Sequence, residues 1–173
     1  MALHGLPDAF VALDVEIASR SPLQICAIGV VRIVSSEETA SYTSRVQITG
    51  TVRYRHIHGL TGADLADAPP WARVWADVRR VIGGLDTVVA FRAQFDRGAI
   101  LTMCGRHGVV LPRLRFVCAA KMMKARFGCD LGLAETLRRL DVPFPGQPHD
   151  PLADARAAAI VALKCARDGE TPV

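Results

Sequence analysis

Phe10-Val-Ala-Leu-Asp14-Val-Glu16 sets four apolar residues ahead of two acids that are separated by one valine. So apolar a run reads as a buried strand, and its period of two puts Asp14 and Glu16 on one face while Val15 and Ile17 point to the other. Like charges this close, near the end of an apolar strand, repel one another and lose hydration, so something must compensate them. Hard divalent cations bound by oxygen ligands do so. An isolated Asp-x-Glu is also what a solvated edge strand carries, and taken alone that plainer reading comes first.

Around this strand the chain organises without repeats, low-complexity tracts or long linkers. Ser19-Arg20-Ser21-Pro22 reads as a turn, Leu23 to Val34 as a second strand and Ser41 to Ile48 as a third, which together make an antiparallel meander. Thr61 suits the cap of a short helix over Gly62 to Ala66. Pro69 and Pro70 suit the first turn of another, with Trp71, Val74, Trp75, Val78 and Val81 recurring at helical spacing before Gly83-Gly84. Thr87 to Phe91 is a short buried strand, followed by a helix from Phe95 to His107. Phe116 to Ala119 is a further strand, Lys121 to Phe127 a short helix, and Asp130 the expected cap of a helix through Leu140. The last helix spans Pro151 to Arg167. Three antiparallel strands followed by alternating helices and strands predict an α/β fold, one domain with a mixed sheet and helices on both faces.

The 173 residues are half hydrophobic and 22% charged, enough to bury a core and to exclude extended disorder. No run approaches the roughly 18 apolar residues of a membrane span, and the start MALHGLPDAF has neither a basic n-region nor an apolar h-region. No membrane association or secretion is therefore expected. The five cysteines are scattered without CxxC spacing, against a zinc cluster or disulfide framework, and read as buried thiols in a reducing cytoplasm. Lys plus Arg exceed Asp plus Glu by 21 to 17, which is compatible with an anionic partner but does not specify one.

Two more segments carry acids in unusual settings. In Pro148-His149-Asp150-Pro151-Leu152-Ala153-Asp154-Ala155-Arg156, Pro151 suits the first helical position, so Asp150 is the expected N-cap. Asp154 falls one turn in, on the stripe of Ala158 and Ala162. It could serve the helix dipole at the surface, but its small neighbours point to a face packed close to the sheet. His149 lies in the preceding loop, free to swing beside Asp154. Asp96 follows the buried strand Val88 to Phe91 and opens the next helix, where a carboxylate is expected as a cap. Ligands in open α/β sheets also gather just past such strand ends. Taken singly, each residue has an ordinary structural explanation.

In their order and settings, these segments resemble the DEDDh 3′–5′ exonucleases of the ribonuclease H-like superfamily, most closely the proofreading ε subunit of bacterial DNA polymerase III. The first motif is Phe10 to Glu16, followed by Ile25-Cys-Ala-Ile-Gly29; the second is Val88-Val-Ala-Phe-Arg-Ala93-Gln-Phe95-Asp96; the third is His149-x4-Asp154-Ala155-Arg156. His58-Gly-Leu-Thr61, the Pro-Pro-Trp helix and Leu131 to Leu140 also look like family segments, so the resemblance covers roughly residues 9 to 167.

The resemblance implies a ribonuclease H-like, five-stranded mixed sheet, with Asp14, Glu16, Asp96 and Asp154 holding two Mg²⁺ or Mn²⁺ ions about 3.5–4 Å apart. It implies that Asp14 bridges the ions and that Asp96 acts partly through water. On the same resemblance, one ion would generate the attacking hydroxide and the other would stabilise the departing 3′ oxygen. His149, with a reference pKa of about 6.5, is the implied general base. Ile17, His58, Arg92 and Phe95 fall where relatives hold the nucleotide, and the product is a 5′-mononucleotide. Setting four acids aside as ligands leaves 13 against 21 basic residues, a formal excess of eight. Arg53, Arg55, Arg92 and Arg97 become candidate phosphate contacts.

Two departures touch the nucleotide-holding surface without removing a ligand: Ile17 where relatives commonly carry Thr, and Phe91-Arg92-Ala93 where they read His-Asn-Ala. Arg92 is expected either to meet substrate phosphate or to neutralise Asp96. The long polymerase-binding tail of the ε subunit has no counterpart here, and no clamp-binding peptide is recognisable. The expectation is a cytoplasmic, free-standing or weakly replisome-associated nuclease acting on 3′ ends of single-stranded or frayed DNA. The alternative substrate is RNA, trimmed by the same chemistry. A catalytically silent nucleic-acid-binding or replisome-docking module is the rival of another class, and clustered acids that would repel a phosphate backbone argue against it.

Overall fold

In the computed structural model, which describes residues 6–128 and 130–167, the Phe10–Glu16 run lies within β1 (Ala9–Arg20), the central strand of a five-stranded sheet. β2 (Leu23–Val34) pairs antiparallel with β1, and β3 (Glu37–Arg45) antiparallel with β2. Three helices follow: α1 (Arg55–His58), α2 (Gly62–Leu65) and α3 (Trp71–Ile82). β4 (Thr87–Ala90) returns parallel to β1, aligned at Val11 with Val88. After α4 (Ala93–Arg106), β5 (Arg115–Cys118) lies parallel to β4. The chain ends its described part with α5 (Ala119–Phe127), α6 (Leu133–Arg139) and α7 (Pro151–Arg167). The sheet order is β3-β2-β1-β4-β5, the mixed five-stranded arrangement expected, with helices on both faces.

β1 and β2 are buried along most of their length because both sheet faces are covered. On one face Val11, Leu13 and Val15 pack against Trp71 and Trp75 of α3 and Ile100 and Met103 of α4. On the other, Phe10 and Ala12 meet Ala155, Ala158 and Ala162 of α7, together with Met123 of α5 and Leu137 of α6. The alanine stripe lets α7 lie close to the sheet, and Gly29 makes the closest approach. A Cβ there would sit 2.3 Å from the carbonyl of Pro151 and the N of Leu152. Gly29 is the residue paired with Asp14, so the first turn of α7 is seated directly over the acidic end of β1.

Several local expectations are corrected. β3 occupies Glu37–Arg45 rather than Ser41 to Ile48, because β2 turns through a two-residue hairpin at Ser35 and Ser36, whose φ values are 50° and 70°. Both residues adopt the left-handed region that such hairpins need, without the glycine or asparagine that usually marks it. The β1–β2 ladder shifts register between Glu16 and Ser19, a bulge that ends strict alternation beside the acids. Val81 is only half-buried, and Ile82 completes the apolar stripe of α3. Asp96 is not a cap: α4 starts earlier, at Ala93, and Asp96 sits buried in its first turn. Asp130 caps nothing either, since α6 begins at Leu133 after Gly132. Asp150 does cap α7, its Oδ1 accepting the N–H groups of Leu152 and Ala153 at 3.0 and 2.9 Å. Cys26, Cys104, Cys118 and Cys165 form no disulfide among the described residues, while Cys129 lies outside them. No described helix is long and apolar enough to cross a membrane.

Candidate active site

Four carboxylates converge at one end of the sheet from three separate elements. β1 supplies Asp14 and Glu16, α4 supplies Asp96 just past the carboxyl end of β4, and α7 supplies Asp154 in its first turn. Asp96 and Asp154 are only 3% and 8% exposed. Burial, then repulsion from Asp96, Asp154 and Glu16, raises Asp14 well above the usual carboxylate range. Glu16 is pushed up to about 8 by burial and by Asp154 and Asp96. Burial lifts Asp96 to about 7 against the N–H groups of Asp96 and Val15, and Asp154 to about 6 against the N–H and ring of His149. Neither lysine nor arginine figures among these influences.

Such a set cannot ionise together without added positive charge. Oδ1 of Asp96 is buried with no hydrogen-bond partner. Glu16, His149 and Asp154 each present a ligand atom, all within 4.8 Å of one another. An all-carboxylate cluster with an orphaned oxygen and one adjoining imidazole is the donor chemistry of hard divalent cations, so the residues fit such ions.

His149 is held by its backbone rather than left free. Its φ is +66°, and its N–H points at both Asp154 oxygens, 3.3 Å from each. The imidazole is about half exposed, with Nδ1 3.7 Å from Oε1 of Glu16. It therefore stands at the open side of the acidic cluster, where it can take a proton from water.

Beside Glu16 lies a cavity of about 190 Å³ whose walls include Ile17, Tyr54, Ile57 and Phe95. Ile57 and Phe95 are exposed large apolar residues, 42% and 40%, and Ile17 forms part of the core beneath them. An apolar slot next to carboxylates suits a flat base whose phosphate reaches the acids. Arg20 also borders it, with its guanidinium carbon 6.0 Å from the centre of the Phe95 ring. Ile57, Tyr54 and Arg20 were not anticipated. The available signal was an apolar residue between two histidines, His56 and His58, in a polar segment that folds as the single turn α1.

His58 lines a different cavity, of about 600 Å³, together with His149, Arg45 and Arg55. Its Nδ1 accepts the N–H of Leu60 at 3.1 Å and its Nε2 lies 3.7 Å from Sγ of Cys26, and burial holds it below its ordinary pKa. The ring is engaged in fixing α1 and the strand beside it. Arg92 turns to Asp130, 3.8 Å away, rather than to Asp96.

A sheet of this order, with acids gathered on β1 and just past the carboxyl end of β4, is the arrangement of the ribonuclease H-like fold. The family model described as Exonuclease (RNase T) matches residues 11–162, and the chain belongs to that exonuclease family. A comparison with curated proteins finds no match. Among solved structures, the nuclease domain of 3′hExo, a DEDDh family member bound to rAMP, aligns with a TM-score of 0.80 at 17% identity, covering 94% of this chain and 93% of that one. Exonuclease X in complex with 5′ overhanging duplex DNA aligns at 0.68 and 20% identity, over 94% of each chain. Pop2p of S. pombe, in its Mg²⁺- and Mn²⁺-bound form, aligns at 0.72 and 12% identity, over 90% of this chain and 81% of that one. At these identities the likeness is one of fold.

Proposed function

We propose that the chain is a metal-dependent 3′–5′ exonuclease that releases 5′-mononucleotides from the 3′ ends of single-stranded or frayed DNA. The observation that carries this reading is the meeting of Asp14, Glu16, Asp96 and Asp154, all raised in pKa by burial, with Asp14 and Glu16 raised further by repulsion from the other acids. A module that only bound nucleic acid would be hindered by such a cluster. The four acids would hold two divalent cations, Mg²⁺ or Mn²⁺. When bound, these supply the missing positive charge and Lewis acidity toward the phosphodiester.

The protein's own residues do the rest. Ile57 and Phe95 grip the terminal base, with Ile17 and Tyr54 shaping the slot. His149, exposed and anchored through its backbone to Asp154, takes the proton of the attacking water. An end fits this slot better than an internal nucleotide, because Ile57 and Phe95 enclose only a small volume beside Glu16.

RNA is the second reading, and the 3′hExo likeness favours it, since that nuclease domain is bound to rAMP. Matched DNA and RNA strands labelled at the 5′ end, incubated with Mg²⁺, Mn²⁺ or EDTA, test both. Ladders that shorten from the 3′ end only with metal are expected. A folded protein that shortens neither strand in either metal overturns the reading.

A further inference from the structure

Phe95 borders two cavities. Besides the slot beside Glu16, it lines a recess of about 440 Å³ whose walls include Arg92, Lys121 and Lys124. Lys121 and Lys124 are three apart on α5, so they share one helix face, and Arg92 leads into α4. Asp130 stands among these cations: its Oδ1 is 3.8 Å from Nη2 of Arg92 and its Oδ2 3.6 Å from Nζ of Lys124. Two positive groups thus flank a single carboxylate, and Lys121 adds a third cation to the walls of the same recess. Both ion pairs are more than half exposed on each side. Pairs of that kind contribute little and exchange readily for another anion.

We infer that Arg92, Lys121 and Lys124 bind a backbone phosphate of the substrate strand upstream of its terminal nucleotide, and that Asp130 holds that place in the free protein. This rests on the exonuclease reading, which puts the terminal nucleotide on the Glu16 side of Phe95. The strand then passes Phe95, and its next phosphates meet the recess that Phe95 shares, where three cations line the wall. Phosphate contacts of this kind position a strand without reading its sequence. A substrate lacking upstream phosphates gains nothing from them. Neutralising Asp130 removes the competing anion and strengthens the hold on a strand.

The test compares an oligonucleotide with the nitrophenyl ester of a nucleoside 5′-monophosphate, which has no upstream phosphate, in the presence of Mn²⁺. In Lys121→Glu/Lys124→Glu, the ratio of kcat/KM for strand over ester is expected to fall about tenfold or more, with a shallower salt dependence of strand binding. In Asp130→Asn the ratio is expected to rise about two- to fivefold. Equal losses on both substrates, or an unchanged ratio in both variants, would overturn the inference. If the wild-type protein cleaves neither substrate, it is the exonuclease reading that fails. Anisotropy of a labelled strand then decides the recess: a tenfold loss of affinity in the double variant supports it, and unchanged affinity overturns it.

Discussion

The N–H of His149 lies 3.3 Å from each carboxylate oxygen of Asp154, five residues on, and this contact holds His149 at a φ of +66°. A non-glycine residue in that region needs support from its surroundings, and here the support is itself a candidate metal ligand. In the proposed mechanism, Asp154 would therefore couple cation binding to the placement of His149. His149→Ala removes the imidazole but not the N–H, so kcat is expected to fall about 10²- to 10⁴-fold while Mn²⁺ affinity changes only a few-fold. Asp154→Ala is expected to lose both. Steady-state kinetics with calorimetric Mn²⁺ titration separates them, and an equal loss of metal in His149→Ala would make the imidazole a ligand.

Without metal, the acidic cluster destabilises the fold as pH rises. Glu16 goes from an ordinary 4.5 to about 8 in the folded chain, and Asp96 from 3.8 to about 7. Across that interval the folded state holds more protons than the unfolded one, so stability falls with increasing pH. His58, kept below its ordinary 6.5 by burial, opposes this trend only below about that value. Glu38 and Asp64, lowered by Arg156 and Thr61, act below the ordinary carboxylate range. The decline is therefore expected to be clearest between about pH 6.5 and 8. Melting curves in EDTA should show Tm dropping over that range, with Glu16→Gln flattening the drop and Mg²⁺ reversing it. A flat or rising Tm in EDTA would contradict the placement of these acids.

The order of the elements was readable because burial on both faces makes β1 and β2 almost continuously apolar, and because the glycines ending α3 and α5 are positioned as helix stops. The acids stood out as carboxylates in apolar surroundings. What was not readable depended on contacts distant in sequence. Ser35-Ser36 carries no composition that marks a left-handed turn. Asp130 resembles a cap until Arg92 and Lys124 are seen beside it. Ile57 is unremarkable in the chain and becomes a candidate only once α1 brings it to the slot that Phe95 also lines.

Gly29 is required by packing rather than by its own backbone. Since a Cβ would lie 2.3 Å from backbone atoms of Pro151 and Leu152, neither of which can rotate away, Gly29→Ala must lift the first turn of α7. The expected cost is about 1–3 kcal/mol, as for other overpacked sites. Activity is expected to fall further than stability, because His149 and Asp154 ride on the displaced turn. Gly98→Ala is the control: it lies within α4 with nothing inside 4 Å of its Cβ, and it is expected to be neutral or stabilising by about 0.5–1 kcal/mol. Urea unfolding with parallel rate measurements compares the two, and an unperturbed Gly29→Ala would mean that α7 is free to move.

Ile57 is exposed enough that trimming it should leave the fold intact, which makes it the cleaner probe of the slot. Contacts of this kind between a base and a nonpolar side chain are worth about 1–3 kcal/mol where the ring is aromatic, and Phe95→Ala is expected to raise KM by roughly five- to 150-fold. Ile57→Ala, which has less surface to lose, should fall toward the lower end. Because Ile57 lines the slot but not the Arg92 recess, its loss should weaken an oligonucleotide and a nitrophenyl nucleotide ester alike. Phe95 borders both, so its loss should penalise the oligonucleotide more. KM for the two substrates across the two variants measures this, and an Ile57→Ala enzyme with unchanged KM for the ester would show that the terminal base lies elsewhere.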